Sequence, residues 1–146
     1  MSLIMSWYGR GLDAITAGEV DWELDTIKVA LLQSTYVPDQ GNHQWFSDVS
    51  TDEASGSGYI LGGAVLPVRV RTYDAALSRI VLSADNMIWE SVTVTNVLYA
   101  AIYKDTGTAA TSPLVGYGQA LEAASTTGEA FIIAWDPLGI FRLTVL

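Results

Sequence analysis

Apolar side chains return at every second position in segment after segment of this 146-residue chain, and runs rich in Gly, Pro, Asn, Asp and Ser separate the segments. Only extended backbone puts alternate side chains on one face, so the pattern predicts strands. Residues 26–32 set Ile27, Val29 and Leu31 against Lys28, Ala30 and Leu32. Residues 64–73 set Val68, Val70 and Thr72 against Arg69, Arg71 and Tyr73, with Pro67 marking an edge or bulge. Residues 74–78 then predict a hairpin into 79–84. Residues 94–104 are apolar on both faces, which predicts a central strand covered on both sides. Shorter strands are expected at 59–61, 86–89 and 114–121. The pair 130–135 and 140–146 is expected to form a hairpin across Asp136, Pro137, Leu138 and Gly139, a type I turn sequence. Loops are expected at 38–43, 50–57, 105–113 and 122–129. Helical spacing occurs only at 11–19, where Leu12 and Ile15 share a face and Gly18 supplies a stop. Eight or nine strands at this spacing predict an all-β, mainly antiparallel sandwich or barrel-like domain with a short N-terminal helix. The reading divides the chain into an N-terminal arm, residues 1–10, and one β-rich domain, residues 11–146.

Half of the residues are hydrophobic and 16% are charged, against about 25% charged in an average domain. That excess of apolar area predicts a homo-oligomer. The arm concentrates the excess in Leu3, Ile4, Met5, Trp7 and Tyr8, which should dock on the chain's own core or on a neighbouring subunit. Leu3, Ile4, Trp7 and Tyr8 are therefore candidate contacts, and deleting residues 1–8 is expected to leave the domain folded while weakening attachment. Seven basic against 16 acidic residues give a net charge of −9, which disfavours nucleic acid and anionic membranes as partners. The uncharged stretch 91–103 is too short and polar for a bilayer needing about 20 residues. Residues 1–8 lack the basic leader and cleavage site of an export signal.

The absence of cysteine excludes disulfides and thiolate zinc sites. Gly56, Gly58, Gly62 and Gly63 resemble a phosphate loop only superficially: a strand-like segment follows where such a loop needs a helix, so they read as turn or bulge glycines. His43, beside Asp39 and Asp48, has the neighbours of a general base but no nucleophile, and reads as a solvated loop residue. Asp48, Asp52 and Glu53 lack the alternation and central glycine of a calcium loop and read as solvated carboxylates. Asp136 and Glu129 offer two carboxylates for glycoside hydrolysis, yet Asp136 already has a turn role. Trp89 and Trp135 lie in alternating strands and read as core anchors. Trp45 and Phe46 follow a hydrophilic loop; a subunit contact is the first assignment, ahead of core packing and ligand stacking. No catalytic, cofactor or metal residue is assigned.

The order of short motifs adds a resemblance. Residues 17–39 (AGEVDWELDTIKVALLQSTYVPD), 55–66 (SGSGYILGGAVL), 70–76 (VRTYDAA), 84–89 (ADNMIW), 103–117 (YKDTGTAATSPLVGY) and 132–139 (IIAWDPLG) together resemble the capsid decoration, or cement, proteins of tailed bacteriophages. The resemblance runs from Ala17 to the C-terminus. It implies a β-rich virion structural protein without catalytic residues, associated as trimers and bound to the outer face of the major capsid protein shell. It implies location on the capsid surface. Two other classes stand beside it: a tail or fibre module binding host glycans, motivated by Trp45 and Phe46, and a carbohydrate hydrolase using loop carboxylates.

Overall fold

A computed structural model describes residues 1–146. In chain order the elements are β1 (Ile4–Trp7), α1 (Gly9–Thr16), β2 (Ile27–Gln33), β3 (Ala64–Val65), β4 (Val70–Asp74), β5 (Arg79–Ser83), β6 (Met87–Lys104), β7 (Leu114–Ile133) and β8 (Phe141–Thr144). Two antiparallel sheets, ordered β1-β7-β6-β2-β3 and β4-β5-β8, make an all-β, sandwich-like fold with one short helix.

The alternation in β2 and β6 serves two cores at once. Ile27, Val29 and Leu31 of β2, with Val97, Ala100 and Ile102 of β6, face the space between the sheets, where they meet Trp22, Leu82, Trp89, Phe131 and Phe141. Ala30 and Leu32, with Tyr99, Ala101 and Tyr103, face the other way. There Tyr8, Tyr36, Phe46, Val49 and Leu114 cover them, so much of the irregular connection after β2 is a lid on the outer face of the sheet. β6 is the middle strand of five, the buried position its two apolar faces require.

The N-terminal segment shows how sharply the long ribbon β6–β7 bends. Ile4 pairs antiparallel with Gln119, while Met1 N donates to the carbonyl of Ile132 at 2.7 Å and Ala134 N donates to Met1 O at 3.0 Å. Four residues span at most about 14 Å; a straight strand from Gln119 to Ile132 would run about 43 Å. The ribbon therefore folds back on itself. Four register shifts between Trp89 and Tyr99, and a left-handed Asn96 (φ 53°), supply the bend.

Several expectations give way. Residues 86–89 and 94–104 belong to one strand, β6, and the expected loop 122–129 lies inside β7. Residues 59–61 form no strand and lie between and within the turns at 57–58 and 61–62. The 136–139 turn closes with Gly139 N donating to Asp136 O at 2.9 Å, but β8 pairs with β5, so the turn carries the chain between sheets and makes no hairpin. Of the two fates expected for the arm, docking on its own core is the one seen: β1 is an edge strand, Tyr8 is completely buried, and the Trp7 ring centroid lies 4.4 Å from that of Phe141. Residues 1–8 contribute to both cores, so their deletion should remove folding contacts as well as any attachment.

Candidate functional site

The structure separates the six candidate contact residues. Ile4 projects from the edge strand with 68% of its surface exposed; Leu3 and Trp7 are half-buried against the core between the sheets. Tyr8 and Phe46 are not surface residues at all. Phe46 opens a single 3-10 turn, and its backbone N–H donates to Ser112 O. This seats its ring flat on Tyr103, centroids 4.0 Å apart and 5° from parallel. Trp45 is half-buried and bridges Pro113. Phe46, one of the two residues that motivated a glycan platform, is thus turned toward its own sheet.

His43 sits at the end of a hydrogen-bonded line. The Tyr8 hydroxyl lies 2.6 Å from that of Tyr36, which lies 2.9 Å from His43 Nδ1. Asp39 N–H points at the same nitrogen, so Nδ1 accepts, Tyr36 donates to it and Tyr8 donates to Tyr36. Burial pushes the Tyr36 hydroxyl up to about 12, and burial with its donated bond raises Tyr8 further. The line ties β1 to the lid.

The loop carboxylates cap turns. Asp48 accepts the backbone N–H groups of Gln44 and Trp45, each at 2.9 Å; partial burial works against its ionisation, and these amides outweigh it and hold the carboxyl below its ordinary range. Asp52 accepts from Thr35 at 2.9 Å. Glu53 takes the Tyr59 hydroxyl at 2.7 Å and Gly62 N–H at 2.6 Å, while burial raises its carboxyl above the usual value. Asp136 accepts Leu138 N–H, and Glu129 stands on β7 opposite Val92. The three loop carboxylates thus turn to three different sets of partners.

The glycines act through contact with backbone. A side chain on Gly56, Gly58 or Gly63 would run into the carbonyl of Thr93, Ser91 or Val29, respectively, and all three have φ values open to glycine. Their segment lies directly on β6 and β2.

Two apolar surfaces reach beyond the residues expected from the sequence, the first of them around Ile4. Leu121, 91% exposed, and Ile4 flank an open cleft of about 580 Å³ between residues 1–4 and 119–124. At the opposite end of the sheet order, Ile60, Leu61, Val65 and Val68 are exposed on and around β3. Val68 is β-branched yet has φ 48°, a conformation its surroundings must impose. The next residue is firmly anchored: the Arg69 guanidinium donates to the carbonyls of Trp22 (2.7 Å), Leu66 (2.6 Å), Glu23 (3.2 Å) and Asp25 (2.6 Å). The signal was present in the sequence, since residues 54–73 contain no Asp or Glu in a chain with 16. Comparison with protein-family models, curated proteins and solved structures returns no match.

Proposed function

We propose that this chain is a structural virion component of a tailed bacteriophage, a capsid decoration protein that binds the outside of the major capsid protein shell as trimers and stabilises the head. One observation carries the reading. The motifs that resemble cement proteins fall on the joints of the frame: β2, the glycines packed on β6 and β2, the β4–β5 hairpin, the β6–β7 turn and the 136–139 turn. Residues that fix turns and strand ends suit a protein whose product is a shape. The large apolar side chains left exposed at both ends of the five-stranded sheet support the same reading, because a clamp works by covering area on several neighbours at once. No covalent step is required of it.

Purified heads carrying and lacking this subunit, heated and osmotically shocked in parallel, test the proposal. The decorated heads should rupture at a higher temperature and a larger dilution step. Equal rupture would overturn the clamping role.

A further inference from the structure

We propose that β4 is a pairing edge: two copies of the chain join β4 to β4, antiparallel about a two-fold axis at Thr72, and merge their three-stranded sheets into one of six strands.

An open strand edge presents a row of N–H and C=O groups that another chain can pair, and proteins usually guard such edges. The edges of this protein differ in how well they are guarded. β1 is four residues long, and Gln40 Nε2 already occupies Trp7 O at 2.7 Å. β3 has two residues and runs into Pro67. β8 has four, and β7 beyond Gln119 lies in the broken, bent part of the ribbon. β4 has five residues in unbroken register, Val70 opposite Ser83 through Asp74 opposite Arg79, with β5 on one side and no strand on the other. It contains no proline, lysine or bulge, and Val70 to Tyr73 are all exposed.

The sequence of β4 complements itself. Pairing centred on Thr72 sets Arg71 of each copy directly opposite Tyr73 of the other, on the same face. Directly opposed side chains are close enough to interact, and a guanidinium over a phenol ring is an attractive pair. Arg71 has no ion-pair partner within its own chain. Charge also selects this edge for a second copy: molecules of net charge −9 repel, and the acid-free stretch 54–73 includes four of the five β4 residues. The contact goes beyond the capsid reading and does not need it, since it forms in solution. On a head it would join neighbouring assemblies across two-fold positions.

Thr72→Cys in the full chain is a direct test, because the protein has no cysteine of its own. Opposed residues of antiparallel strands have Cα atoms about 4.5–5.5 Å apart, inside the roughly 4.4–6.8 Å range of disulfides. Mild oxidation should convert T72C to a covalent dimer, while Leu138→Cys, exposed in the 136–139 turn, stays monomeric. By sedimentation the native chain should show concentration-dependent association that Arg71→Glu weakens about tenfold or more with the circular dichroism spectrum unchanged. A native chain that stays monomeric at high concentration, trimers without the cross-link, or T72C cross-linking no faster than L138C would each overturn the pairing. None of these measurements involves heads, so failure here leaves the capsid reading standing, and equal head rupture leaves the pairing standing.

Discussion

The hydroxyls of Tyr8 and Tyr36 meet at 2.6 Å, joining the residue that follows β1 to the lid over the outer core. Tyr8 is completely buried, so its hydroxyl has no water to fall back on. Tyr8→Phe should cost about 1 kcal/mol, a net buried hydrogen bond. Tyr8→Ala adds a cavity and should cost about 3–5 kcal/mol. Denaturant unfolding of the two variants checks both figures, and a truncation removing residues 1–8 should lose cooperative unfolding.

Burial also protects phenols. Tyr8, Tyr36, Tyr59 and Tyr103 all ionise above the ordinary tyrosine range because burial disfavours the phenolate, Tyr36 at about 12. Their folded values exceed the unfolded value of about 10. The stability they supply is therefore full below pH about 10 and is lost as pH rises beyond it. An ultraviolet titration should show Tyr36, Tyr8, Tyr59 and Tyr103 ionising late or together with alkaline unfolding. Early ionisation of all seven tyrosines would contradict the buried placement.

At acid pH the sign reverses. A hydrogen-bonded Lys28 at 2.7 Å, together with Gly107 N–H, holds the Asp105 carboxyl below its ordinary value. That contribution is present above pH about 4 and is lost as pH falls through the lowered folded value. Asp105→Asn should cost about 0.5–1 kcal/mol at neutral pH, the worth of a partly exposed pair, and flatten the acid limb of a plot of melting temperature against pH.

Gly63 and Gly18 share a left-handed backbone, φ 78° and 77°, but differ in surroundings. Nothing lies within 4 Å of a side chain added at Gly18, whereas one at Gly63 would strike Val29 O. Gly18→Ala should cost about 1–2 kcal/mol from backbone strain alone. Gly63→Ala should cost more and shift the amide resonances of β2.

Local chemistry made much of this legible in the sequence. The β4–β5 hairpin was readable because its alternation and its turn, residues 75–78, are neighbours in the chain. The two-sided burial of β6 was readable because both faces are apolar. What remained hidden depends on distant partners. Residues 122–129 look like a loop because their side chains are small and polar, yet their backbone pairs with β6 on an exposed corner where side chains carry little of the energy. Phe46 looks exposed because it follows a hydrophilic run; its place is set by Tyr103, far along the chain. Asp136 to Gly139 announces a turn but not that β8 will find β5.

Electron microscopy of virions bearing a labelled copy of this chain tests the proposed function most directly. The account predicts regular density over the outer face of the head and none along the tail. Density confined to the tail or its tip would contradict it.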